Sequence, residues 1–172
     1  MDFILRSWTS EDLDALVKYA NNPHIARNMS EGFPHPYTRE DGQRYIGRVS
    51  QDRPLQVFAI SMGDEPIGSI GIFPETDRPG NNAAIAYWLA EPFWGKGIMT
   101  KAIRQMVDYG FKTFNIDRIY AKPYGMNSAS HRVLEKAGFT LEKKLQRSVM
   151  KGDEYLDEIV YAINRGRKVP GS

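Results

Sequence analysis

The sequence contains no cysteine in 172 residues. Disulfides, thiolate metal sites and a cysteine nucleophile are therefore excluded, and zero cysteine suits a reducing compartment. A chain of this length needs no covalent staple, because one domain of this size buries about two thirds of the surface its unfolded chain exposes. Long apolar runs are also missing. Nothing approaches the ~20 residues of a membrane span, and Met1-Asp2-Phe3-Ile4-Leu5-Arg6 lacks the basic start and apolar stretch of an export signal, so the expectation is a cytoplasmic protein with no membrane partner. Charge of one sign is scarce: 23 Lys and Arg stand against 21 Asp and Glu, a net +2 that is too small to make nucleic acid the main partner. Two local clusters, Lys143/Lys144/Arg147 and Arg165/Arg167/Lys168, read as solvated surface. Internal repeats and linker-like composition are absent, so residues 1–172 are expected to form a single domain.

What is present is an apolar pattern that changes period repeatedly. Phe3 to Arg6 reads as a strand. Thr9 and Asp12 read as a capping box ahead of Leu13, Leu16, Val17 and Ala20, a helix stopped by Asn22-Pro23. A second helix opens after Thr38, with Asp41 three residues on, and Asn28 to Tyr37 forms an ordered loop between the two helices. Three strands follow, Gln56 to Met62, Pro66 to Phe73 and Ala83 to Leu89, with hairpin turns at Gly63-Asp64 and around Pro79-Gly80-Asn81. Ile98, Ala102, Ile103, Met106 and Val107 then describe an amphipathic helix. Next come a strand at Arg118 to Lys122 and a helix from Asn127 that stops at Gly138, and a hairpin of Thr140 to Met150 and Tyr155 to Asn164 closes the chain. The fold class is α/β: a mixed, mostly antiparallel sheet of about seven strands with helices on both faces, parallel where a helix links two strands.

The segment from Trp88 to Thr100 carries the clearest chemistry. A strand runs through Trp94-Gly95-Lys96-Gly97 into a helix at Ile98. Glycines allow close approach of a ligand to the backbone, and the first amides of a helix have no intrahelical acceptor. An anion such as phosphate is favoured there, and Lys96 adds charge. The segment is not a dinucleotide fingerprint, because Thr100 holds the third glycine's place, and no P-loop occurs.

This segment resembles the acetyl-CoA pyrophosphate loop of GNAT acetyltransferases, in the form aromatic-Gly-x-Gly-aliphatic-x-Thr found in the ribosomal-protein-alanine (RimJ/RimL-like) branch. Three further stretches are similar to that branch in the same order. They are Pro36-Tyr37-Thr38 with Asp41, the run Asn127 to Phe139 with Ser130 and Gly138, and the closing Gly152, Tyr155 and Asp157. Together they cover nearly the whole chain.

The resemblance implies a sheet splayed in its middle and an enzyme that moves an acetyl group from acetyl-CoA to a primary amine, with no metal. A protein N-terminal α-amine, ribosomal or other, is the leading acceptor; a polyamine, amino sugar or amino acid is the alternative, as is a non-catalytic acyl-CoA-binding module. It further implies that the pantetheine arm pairs with Ala86 to Ala90, placing Trp88, Leu89 and Ala90 on the cofactor. A backbone N–H near Leu89 or Ala90 would serve the oxyanion, a donor whose loss costs about 10²–10³ in rate. Trp94, Gly95, Lys96, Gly97, Ile98, Met99 and Thr100 would hold the pyrophosphate, and Asn127, Ser130 and Arg132 would complete the cofactor site. The family's usual acid, a tyrosine, is replaced by Leu134, so Ser130 takes the place near the sulfur; the glutamate some members use as base falls at Val149. Glu31 and His35 are the substitute bases, while His131 reads as structural, with a phosphate-facing role as the alternative, and His24 carries no signal. Phe33, Pro34, Tyr37, Phe73 and Trp88 would line the acceptor pocket. A monomer or a homodimer is expected.

Overall fold

The computed structural model describes residues 2–166; Arg167 and Lys168 of the second basic cluster, with Gly171 and Ser172, lie outside the described residues. Seven strands form one open sheet: β1 (Ile4–Arg6), β2 (Val57–Met62), β3 (Glu65–Pro74), β4 (Asn82–Leu89), β5 (Arg118–Ala121), β6 (Thr140–Lys151) and β7 (Glu154–Asn164). Their hydrogen-bonded order is β1-β2-β3-β4-β5-β7-β6. β4 and β5, linked by a helix, are parallel, whereas β1–β2, β2–β3, β5–β7 and β6–β7 are antiparallel. The helices are α1 (Leu13–Ala20), α2 (Pro23–Ala26), α3 (Arg39–Val49), α4 (Ile98–Thr113) and α5 (Ser128–Lys136). The mixed α/β class is the one the sequence pattern predicts, and so is the element order apart from the short helix α2. No helix among the described residues is long and apolar enough to cross a membrane.

The described residues divide into two compact units, 2–71 with Tyr87–Ile98, and Ile72–Ala86 with 99–166. In the first unit, Trp8, Leu16, Ile25, Ile46, Val57 and Trp88 belong to one buried cluster. A hydroxyl lies inside it: Ser69 accepts from the Trp8 indole N–H at 3.1 Å and bonds the Tyr45 hydroxyl at 2.7 Å, so no partner is left unsatisfied. The predicted capping box of Thr9 with Asp12 forms, and the second helix, which opens after Thr38 as expected, starts with another between Thr38 and Asp41. Asp12 is buried and takes a two-pronged pair from Arg6 at 2.8 and 2.9 Å. Burial alone pushes its carboxyl pKa up, but the Arg6 guanidinium and the Thr9 amide outweigh that and hold it below the usual range.

One boundary reading is corrected. Asn22-Pro23 does end the first helix, but it also starts another: Asn22 caps α2 by accepting from the His24 amide at 2.8 Å, with Pro23 in the first turn. Proline suits that position because its missing N–H would have no helical acceptor there.

In the second unit, Met106, Ile119 and Ile163 are wholly buried. Gly110 lets α4 lie close to the end of β3, since a Cβ there would come within 2.7 Å of the Ile72 side chain. The β4–β5 ladder covers Asn82–Ala84 against Arg118–Tyr120; Tyr87–Leu89 lie beyond it along β4.

Candidate active site

β4 leaves strand geometry at Ala90, and Glu91–Phe93 follow as a 3-10 turn. Ala90 donates its N–H to the Ile67 carbonyl of β3 at 2.7 Å. Successive amides of a strand point to opposite edges, so the Leu89 N–H faces away from β3. Of the two backbone donors expected here, Ala90 is already committed and Leu89 is turned to the other edge. The Leu89 carbonyl, on the same edge as its own N–H, accepts from the Trp94 indole at 2.7 Å. β3 runs close to this stretch because Gly68 has no side chain: a Cβ there would lie 2.5 Å from the Trp88 carbonyl oxygen and 3.2 Å from the Leu89 Cα.

Downstream, Gly95 and Gly97 adopt φ of 74° and 80°, the left-handed region that costs other residues about 1–2 kcal/mol. Nothing lies within 4 Å of where either Cβ would be. Backbone conformation, not crowding, requires glycine at both positions, and the loop stands in open space. Lys96 holds its ammonium 5.9 Å from the centre of the Phe93 ring. Ile98 and Met99 are buried and anchor the start of α4, with Thr100 half-buried beside them. The arrangement presents helix-start amides and a lysine at the mouth of a 16-residue helix, which suits an anion.

The segment between α1 and α3 meets the end of β4 at two places. Phe33 packs edge-on against Trp88, ring centres 6.4 Å apart, and lies 5.5 Å from Tyr37. Tyr37 is buried, its N–H donates to Asn21 at 3.0 Å, and burial pushes its phenol far above the ordinary range, so it stays neutral. Three of the predicted acceptor-pocket aromatics are thereby brought together. Phe73 belongs to the second unit, where it is an exposed residue of β3. Glu31 and His35 sit exposed on the loop.

The second meeting place was invisible in the sequence. His24 Nδ1 lies 3.0 and 3.1 Å from the two carboxylate oxygens of Glu91, and Asn22 donates its amide to the same carboxylate at 2.9 Å. These bonds, that of Asn22 first and that of His24 next, hold the Glu91 pKa below its usual value. The only local signal was that Asn22-Pro23 can open a helix as well as close one; nothing in a 67-residue separation announces the pair.

In the second unit, Asn127 caps α5 by accepting from the Ser130 amide at 3.3 Å, and Ser130 is buried in the first turn. Tyr161 donates to Glu135 at 2.9 Å and fastens the helix to β7; burial and then the carboxylate push that phenol up to about 12. His131 donates to the Tyr124 carbonyl at 3.0 Å and rests against the Tyr161 ring, the structural role expected of it. Leu134, at the family's tyrosine position, is fully buried, and Arg132 is exposed. Asp157 of the closing hairpin accepts from the Arg147 amide at 2.8 Å, where Arg147 turns to a φ of 49°. That aspartate therefore steadies the bulge in β6.

Comparison with known proteins agrees with this layout. A family model described as an acetyltransferase (GNAT) domain matches residues 2–140. An uncharacterized N-acetyltransferase p20 of Bacillus licheniformis is 32% identical over 145 residues, covering 83% of this chain and 81% of that protein. The ribosomal-protein-serine acetyltransferase of Escherichia coli (strain K12) is 31% identical over 107 residues, 62% of this chain and 59% of that one. Among solved structures, Mycobacterium smegmatis RimJ in complex with CoA-disulfide superposes with a TM-score of 0.82 at 24% identity, covering 94% of this chain and 81% of that one. The chain belongs to the GNAT acetyltransferase family and is an acetyl-CoA-dependent N-acetyltransferase.

Proposed function

We propose that the acceptor is a protein N-terminal α-amine, acetylated with acetyl-CoA as co-substrate. The observation that carries the acetyl-transfer part is the edge of β4 at Leu89, whose N–H is turned away from β3 just ahead of the two-glycine loop and the α4 amides. The α-amine part is supported by the similarity to the ribosomal-protein-serine acetyltransferase and by the Phe33, Tyr37 and Trp88 cluster, an apolar wall suited to the first side chain of a peptide.

On this reading the helix-start amides from Trp94 to Thr100 hold the pyrophosphate, with Lys96 adding charge. The edge of β4 that Leu89 presents faces the pantetheine, with Trp88 and Ala90 flanking it on backbone already held by β3, and Leu89 N–H donates to the thioester oxygen as it becomes an oxyanion. The acceptor nitrogen bonds to the thioester carbon, the C–S bond breaks, and the thiolate leaves as CoA and takes up a proton. Ser130 donates a hydrogen bond to the departing sulfur, Asn127 caps the first turn of α5 that carries it, and Arg132 meets a phosphate. Release of CoA thiol with peptides beginning Ala, Ser or Met, set against spermidine, an aminoglycoside and free amino acids, tests the acceptor. Turnover confined to a small-molecule amine overturns the α-amine reading.

Ser130→Ala is expected to lower kcat by about tenfold, the worth of one hydrogen bond of roughly 1.4 kcal/mol. Its affinity for CoA, measured by direct titration, should change less than the rate. An unchanged kcat removes Ser130 from the reaction.

A further inference from the structure

We propose that His24 is the general base of the transfer, accepting through Nε2 the proton that the acceptor ammonium must lose. The proposal rests on the acetyl-transfer reading above and supplies the group it lacks. A thioester is attacked only by a neutral amine, and a primary amine is mostly protonated at neutral pH.

The geometry sets one ring nitrogen against the other. Glu91, its pKa lowered, is an ionised acceptor, so the proton at the 3.0 Å contact belongs to Nδ1 of the histidine. In the neutral ring that leaves Nε2 with a lone pair. A carboxylate that fixes the tautomer and steadies the imidazolium formed later is how a histidine base is oriented elsewhere. Asn22 fixes the carboxylate in turn at 2.9 Å, and Arg27, at the end of the same short helix, also acts on it. His24 is itself exposed, so Nε2 is open to an incoming amine and to the solvent that must later remove the proton.

Position supports the same role. The segment between α1 and α3 touches the end of β4 through Phe33 on Trp88 and through His24 on Glu91, and these two contacts bracket Leu89. The proposed oxyanion donor, the aromatic wall and the imidazole thus lie on two segments of the first unit, 24–37 and 88–91, that touch at both contacts. The step balances: the ammonium gives one H⁺ to Nε2, the freed nitrogen pair forms the C–N bond, CoA departs with the C–S pair and takes up the second proton that the nitrogen loses as the amide forms, and His24 returns its proton to water.

The test is the pH dependence of kcat/KM for the best acceptor in wild type, His24→Gln, Glu91→Gln, His35→Gln and Glu31→Gln. Thermal unfolding and CoA titration on each variant show that fold and cofactor binding survive. His24→Gln is expected to lose about 10² in kcat/KM at neutral pH. The loss should shrink as pH rises, because solution then supplies the neutral amine. Glu91→Gln keeps an acceptor for Nδ1–H but no charge, and should lose less. The proposal is overturned by a loss under threefold in His24→Gln, by a loss equal at every pH, which marks a positioning effect, or by a pH-dependent loss in His35→Gln or Glu31→Gln instead. Wild-type protein that binds CoA and turns over no amine overturns the acetyl-transfer reading, and this proposal with it; the wild-type arm therefore separates the two failures.

Discussion

Gly97→Val is expected to raise the dissociation constant for CoA by at least about tenfold while the protein remains folded. Gly97 adopts a φ of 80° with nothing within 4 Å of its Cβ position. The Cβ of a valine there meets no neighbour, so the damage expected is conformational. Holding a β-branched residue in the left-handed region costs about 1–2 kcal/mol. The loop escapes that strain by changing its dihedrals, and its amides then no longer point where an anion would sit. A single amide bond to a charged group is worth about 1.5–3 kcal/mol, so losing one already accounts for a tenfold change or more. Titration with CoA reads the affinity, and thermal unfolding separates it from global damage. Wild-type affinity in a folded Gly97→Val protein would take the pyrophosphate away from this loop.

Gly68→Ala is expected to damage both stability and rate, for a different reason. The new Cβ would lie 2.5 Å from the Trp88 carbonyl oxygen and 3.1 Å from a Leu89 side-chain carbon. The first neighbour is backbone and cannot swing aside as a flexible side chain would. β3 and β4 must separate locally, at a cost of about 1–3 kcal/mol for overpacking. The displaced stretch holds the Leu89 N–H, and an error of about 1 Å in a reacting geometry costs on the order of 10²-fold in rate. The variant should therefore show a lower unfolding midpoint and a kcat reduced far beyond what the unfolded fraction explains. A destabilised protein with normal kcat would mean that the oxyanion donor is not on this part of β4.

Both expectations depend on glycines the sequence displays, but only one was readable as functional. Gly97 sits in a motif whose neighbours along the chain declare its use. Gly68 is an unremarkable residue of a hydrophobic strand until the backbone of β4 is seen against it. The capping box at Thr9, the left-handed stop at Gly138 and the turns at Gly63 and Gly152 were likewise legible, because each depends on atoms within a few residues.

The local pattern of side chains by itself determined the seven strands, the principal helices and their order, and the motifs of the family. The tertiary structure alone decided that β7 lies between β5 and β6, and that Ala90 gives its amide to Ile67 and leaves Leu89 facing the other edge. It also placed His24 on Glu91. Secondary structure follows from periodicity and caps, which act over one turn or one hairpin. Which amide is already bonded and which carboxylate a histidine meets are fixed by packing between segments dozens of residues apart, and no short-range signal encodes that.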